Sequence, residues 1–243
     1  MERVDRVSAP RDPYYIAYFA ELPVVFVEVR GLTVSSAMAE LSSRNVPVPR
    51  KTDRDWELRG LMAAFRGWGY LLVDSRDPED ERRWAMAHEL GHFLLEYHDP
   101  WEQVHRRLGS EAAKALDHPQ GLRRLEARRR LAAILDGLPM RLDFSLMRRD
   151  PQGGYSCQFT AEAEHCADVL AWELLAPARE LKERVSEFLD GPTARLKREL
   201  MTVAVNTYKV PLWAARPHVE RLVRRWTGGT TLREWLRPEQ EAP

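Results

Sequence analysis

The sequence predicts an α+β fold, mostly helical, with a small sheet packed against one apolar helix. Three observations predict it. Gly69–Asp74 is an apolar run of strand length set off by the turn residues Gly67 and Gly69, and Val24–Val29 is a β-branched run that reads as a strand or a buried helix end. From Asp77 onward, segments spaced as helices dominate the chain. The first of them carries Trp84, Met86, Ala87, Leu90, Leu94 and Leu95, yet it also carries His88, Glu89 and His92. Two histidines and a glutamate on a buried helix need a chemical reason to be there.

In chain order, residues 1–50 begin with proline-broken polar sequence, continue through Tyr14–Phe19 and Val24–Val29, and close at Pro47 and Pro49. Leu58–Phe65 reads as a short helix, followed by a turn at Gly67 and the strand Gly69–Asp74. Asp77 is placed to cap the histidine-bearing helix, with Pro78 at its first position. Residues 100–154 look like an added helical segment. Its leucines, Leu116 to Leu135, are interleaved with Arg123, Arg124, Arg128, Arg129 and Arg130, which read as a solvated helix face, and it ends in the loop Asp150–Gly154. Thr160 would cap a helix running through Leu175 and stopped by Pro177, and two or three helices fill 178–226. Gly228-Gly229 and a polar end suggest a loosely held C-terminus. The expected organisation is a core over residues 1–187, interrupted at about 100–154, and a C-terminal helical segment over 188–243.

With 243 residues, 44% apolar and 30% charged, the chain has the composition of an ordinary globular protein. A formal net charge of zero argues against nucleic acid or anionic membrane as the main partner, although 100–150 and 178–243 are locally basic. No apolar run approaches a membrane span and the N-terminus is no signal peptide. Cys157 and Cys166 are too few for a disulfide framework, so reduced thiols in a cytoplasmic protein are expected, with Cys166 a small buried helix residue.

The decisive motif is His88-Glu89-Leu90-Gly91-His92. On a helix, positions i and i+4 lie about 40° apart, so both imidazoles can reach one metal ion. Glu89, about 100° round from His88, is better placed to take a proton from a metal-activated water than to bind the metal. Two nitrogen ligands and a general base define a zinc-protease helix. A catalytic zinc takes a third protein ligand, and two candidates compete. His98 has the spacing of HExxHxxGxxH, but Leu95 stands at the glycine position, and on a continuing helix His98 would point about 240° away from His92. Glu164 lies on the later helix and would complete a His₂Glu site. Asp168, one turn further on, could accept the second ring N–H of a zinc histidine. Read alone, Glu164 and Asp168 are solvated charges on an amphipathic helix; only beside a real HExxH site does the ligand reading prevail.

At these residues the chain resembles the ImmA/IrrE metallopeptidase family. The resemblance starts at Gly69–Asp74 and runs through Arg83-Trp84-Ala85-Met86-Ala87-His88-Glu89-Leu90-Gly91-His92-Phe93-Leu94-Leu95. It resumes at Glu164-His165-Cys166-Ala167-Asp168 and ends in Leu174-Leu175-Ala176-Pro177. It implies a zincin-like core holding one zinc ion per chain, with His88, His92 and Glu164 as ligands, Glu89 as general base and Asp168 behind a ligand. His165, Tyr155 and Tyr97 are candidate donors to the oxyanion. It also implies a protein substrate, typically a helix-turn-helix repressor whose cleavage relieves repression under stress or on mobile-element induction. His92 and Glu164 are 72 residues apart, against a few tens in the family, so 100–154 reads as an insertion. Leu200–Leu222 is similar to the family's helical tail, with Tyr208–Pro211 in the turn position. Pro217 would kink or end the second helix, which argues against direct nucleic-acid binding. The alternative from another class is a partner-binding regulator that does not cut, with a structural or vestigial zinc site.

Overall fold

The computed structural model describes residues 8–48, 55–109, 145–148 and 158–228. Two compact units divide the chain: Asp12–Leu174 form the first, and Ser8–Arg11 with the residues from Leu175 onward form the second. The first unit holds a four-stranded sheet with helices on both faces, so the expected α+β, mostly helical class is borne out.

The first unit opens with helix α1 (Pro13–Phe19), whose start is fixed by Asp12 accepting from the Tyr14 N–H at 2.9 Å and by Pro13 at the first position. Strand β1 (Val24–Val29) resolves the strand-or-helix ambiguity in favour of the strand. Helix α2 (Val34–Ser43) was not foreseen, although its signal is legible. Thr33 and Ser36 form a reciprocal capping box, with Thr33 Oγ1 accepting from the Ser36 N–H and Ser36 Oγ from the Thr33 N–H.

Strands β2 (Leu58–Phe65) and β3 (Trp68–Asp74) form a hairpin, which corrects the helix expected over 58–65. The continuous apolar run left period ambiguous; the turn decides it. Arg66 and Gly67 form a two-residue loop with both φ positive (53° and 83°), the twist that joins antiparallel strands. The Tyr97 hydroxyl accepts the Gly67 N–H at 2.7 Å and holds this turn. The sheet order is β1-β3-β2-β4, with β1 parallel to β3 and the other pairs antiparallel. Strand β4 (Ser145–Arg148) falls within 100–154, where only helix was expected.

One face of the sheet packs Val27, Leu58, Leu61, Ala63 and Leu72 against α2. The other packs Met62 and Leu71 against Leu90, Phe93 and Tyr97 of the histidine-bearing chain. Simple alternation would put Leu58 and Gly60 on the same face. A bulge in the β2–β4 pairing between Leu58 and Gly60 breaks that parity, so Leu58 faces α2 while Gly60 turns toward Glu89.

Helix α3 (Glu79–His92) starts one residue later than expected. Pro78 is its cap residue, and Glu79, Asp80 and Glu81 place negative charge at its N-terminus. It continues through a π-helical turn (Phe93–His98) into α4 (Asp99–Leu108). Helix α5 (Gln158–Leu175) begins before Thr160, so Thr160 lies inside it instead of capping it. The arginine-rich stretch 123–130, the loop 150–154, Cys157 and Tyr155 lie outside the described residues.

The second unit contains α6 (Ala178–Arg184), a 3₁₀ turn (Ser186–Phe188), α7 (Thr193–Thr202) with a π-helical turn (Val203–Thr207), and α8 (Leu212–Trp226). Helix α8 runs through Pro217 and is not ended by it. The Tyr208 hydroxyl donates to Glu180 at 2.8 Å and accepts from Arg184 Nε at 3.2 Å, while Arg11 pairs with the same carboxylate. Among the described residues no helix is long and apolar enough to cross a membrane.

Candidate metal centre

The centre is assembled in the first unit by a close crossing of α3 and α5. Gly91 makes the crossing possible. A Cβ there would lie 3.0 Å from the Ala167 carbonyl oxygen and 3.1 Å from its Cα, so the glycine lets the two backbones approach. Glu164 and Asp168 flank Ala167 by one helical turn in total, and the crossing carries both to the histidines. His88 Nε2 lies 3.1 Å from Glu164 Oε2, and His92 Nε2 lies 3.6 Å from the same oxygen and 3.0 Å from His88 Nε2. One donor atom from each of His88, His92 and Glu164 falls within 4.8 Å of the other two, an arrangement that can hold a metal ion.

The outer ring nitrogens are held as well. His88 Nδ1 is 2.9 Å from Asp168 Oδ1, the position expected of Asp168. His92 Nδ1 is 2.6 Å from Glu96 Oε1, a contact that sequence reasoning missed. Its signal was present, since Glu96 follows His92 by four residues on a continuing helix.

Glu89 stands apart from the ligating group. It is fully buried, and neither carboxylate oxygen has a hydrogen-bond partner among the described residues. Its room is made by Gly60, whose Cβ, if present, would lie 2.7 Å from Glu89 Oε1 and 2.9 Å from Cγ. A buried carboxylate without a partner is costly unless its environment has a use for it.

The family model described as IrrE N-terminal-like domain, Peptidase_M78, matches residues 52–135. Over these residues the chain is similar to the IrrE N-terminal-like domain. The match bears out the ImmA/IrrE resemblance; it spans His88, Glu89 and His92 and ends before Glu164, which the fold brings back to them. No curated protein and no solved structure matches the chain.

The remaining candidates of this IrrE-like site sort by position. His98 is excluded as a ligand: the helix does continue, and its ring lies against Phe93 and 3.4 Å from Asp99. Tyr97 is buried at the hairpin turn, its hydroxyl already engaged by Gly67. His165 is exposed beside Glu164, and Tyr155 lies outside the described residues. Cys166 is exposed, which corrects the buried position expected for it.

The electrostatics follow from four carboxylates around two imidazoles. Burial alone would lower the His88 pKa, but the hydrogen bonds to Asp168 and Glu164 outweigh it and raise it to about 10. His92 is raised to about 9 against the same burial penalty, through Glu164 and Glu96. Burial would raise Glu164, yet the two histidines bring it down to about 2. Glu89 rises to about 7, chiefly by burial. The cluster therefore demands positive charge, which protons on the imidazoles or a divalent cation can supply. Two imidazole nitrogens, one carboxylate oxygen and fixed outer nitrogens fit such a cation.

Proposed function

We propose that the chain is a zinc-dependent endopeptidase in which His88, His92 and Glu164 hold the metal and Glu89 is the general base. The observation that carries the reading is the buried, unpartnered Glu89 carboxylate beside the ligating group. A purely structural metal site would give Glu89 no work, and the cost of burying it would go unanswered. When bound, zinc supplies Lewis acidity to an attacking water and to the scissile carbonyl.

The chain's own residues supply the rest. Glu89, with a pKa raised to about 7, is matched to accepting the water's proton at Oε1 or Oε2 and returning it to the leaving amine. Asp168 fixes the ring of His88 so that Nε2 faces Glu164. His165, exposed next to Glu164, is assigned as donor to the developing oxyanion. The catalytic core is assigned to residues 1–187, and 188–243 to an accessory helical segment.

The substrate class follows from the family resemblance: a DNA-binding repressor with a helix-turn-helix, cut to relieve repression in a stress response or mobile-element control. The test is incubation of the zinc-loaded chain with helix-turn-helix repressors, beginning with any encoded beside its gene. The expected result is discrete repressor fragments with the unaltered chain and none with Glu89→Gln, which retains zinc. Cleavage by Glu89→Gln at the unaltered rate would overturn the assignment of the base, and an intact repressor with the unaltered chain would overturn the substrate class.

A further inference from the structure

The geometry points to Glu96 as a positioning residue that fixes the tautomer and orientation of His92, the counterpart of Asp168 at His88. The inference rests on the metallopeptidase reading of the site and names a group outside the three ligands and the base.

Each histidine presents Nε2 to the space shared with Glu164 and turns Nδ1 to a separate carboxylate. For His88 that carboxylate comes across the helix crossing from α5; for His92 it comes from its own chain, four residues on. The Glu96 side chain is only 15% exposed and its Oε1 lies 2.6 Å from His92 Nδ1, a short hydrogen bond. Glu96 itself is not one of the three groups whose donor atoms converge within 4.8 Å, so it acts on the metal ligand and not as one. It sits within the π-helical turn Phe93–His98, which begins at the residue after His92. That turn also sends Phe93 and Tyr97 into the core beneath the sheet, where they pin the backbone carrying Glu96. Single π-helical turns inside α-helices recur at functional sites. With Nδ1–H donating to Glu96, the lone pair of Nε2 is the one left for a cation.

The test uses the full chain, titrated with zinc against a chromophoric chelator, in four forms: unaltered, His88→Ala, Glu96→Leu and Glu96→Gln. Glu96→Leu should weaken zinc binding by about 10- to 100-fold. Glu96→Gln, whose amide oxygen can still accept from Nδ1, should lose less. In ¹⁵N-histidine spectra of the zinc-loaded chain, the Nδ1–H signal of His92 should move in Glu96→Leu while that of His88 stays. A uniform loss of packing would shift both rings alike. If His88→Ala weakens zinc binding and Glu96→Leu stays within about threefold of the unaltered chain, this inference falls and the metallopeptidase reading stands. Equal losses in Glu96→Leu and Glu96→Gln with both ring signals unmoved would also overturn it. If the unaltered chain binds no zinc, both fall together.

Discussion

Replacing Gly60 by alanine adds one methyl group at the point where the central strand meets Glu89. The added carbon would lie 2.7 Å from Glu89 Oε1, 2.9 Å from Cγ and 3.2 Å from Cδ. Ordinary contact starts near 3.4 Å, so the carboxylate or the strand must yield by roughly 0.7 Å (3.4 minus 2.7). The strand cannot retreat freely, because Gly60 is paired with Val73 on one side and Met147 on the other. Glu89 is fully buried and has no solvent to move into. Overpacking of this kind costs about 1–3 kcal/mol, which for a unit this size lowers Tm by about 2–12 °C. Displacing the base by most of an ångström should slow peptide cleavage by about 10- to 100-fold. Zinc affinity should be unchanged, since the three atoms nearest the added methyl all belong to Glu89 and none to His88, His92 or Glu164. The assay is cleavage rate at saturating zinc, with Tm by calorimetry and affinity by chelator competition. Truncating the acid in the same chain (Gly60→Ala with Glu89→Ala) should recover part of the lost Tm, because the clash is with Oε1, Cγ and Cδ, all of which alanine lacks. Unchanged Tm and cleavage in Gly60→Ala would refute the claim that this glycine exists to seat Glu89.

Two further outcomes follow from the same structure. Gly91→Val should force α3 away from Ala167, where even one carbon would lie 3.0 Å from a carbonyl oxygen, and so weaken zinc binding by carrying Glu164 away from the histidines; binding equal to that of the unaltered chain would show that the close crossing is not needed. In the second unit, burial and the neighbouring Arg221 lower the His218 pKa from 6.5 to about 4. The unfolded chain therefore binds a proton there, between pH 6.5 and about 4, that the folded chain refuses, so stability should fall as pH drops through that window, by about 3 kcal/mol (6.5 minus 4, at 1.36 kcal/mol per unit). His218→Gln should remove that part of the acid sensitivity; an unaltered pH profile of Tm in this variant would contradict it.

Much of this site was legible in the sequence because its two halves announce themselves locally. The i, i+4 histidines need only a helix to converge, and the helix start after Asp77 was clear to within a residue or two. Glu164 and Asp168 were legible as a pair one turn apart, but nothing local told them from solvated charges; the family resemblance did, and the Gly91–Ala167 contact gives the physical reason. Leu58–Phe65 is apolar on both faces because the strand lies between two packed layers, so it lacks the alternation that marks a half-exposed strand, and only the Arg66-Gly67 loop betrays it. The role of Gly60 depends on a bulge against β4, a strand more than eighty residues away in the chain, and no local pattern encodes that register. Glu96 was legible by the same i, i+4 spacing that brings the histidines together, since it follows His92 by one turn on a continuing helix.

The central claim is a metal site with room for chemistry, and X-ray absorption at the zinc edge of the purified, zinc-loaded chain tests it most directly. The account predicts one zinc per chain with two imidazole nitrogens at about 2.0–2.1 Å, one carboxylate oxygen from the protein at about 2.0–2.2 Å and one further oxygen from solvent, and loss of the carboxylate component in Glu164→Ala. A sulfur ligand, four protein ligands, or a spectrum unaltered by Glu164→Ala would contradict it.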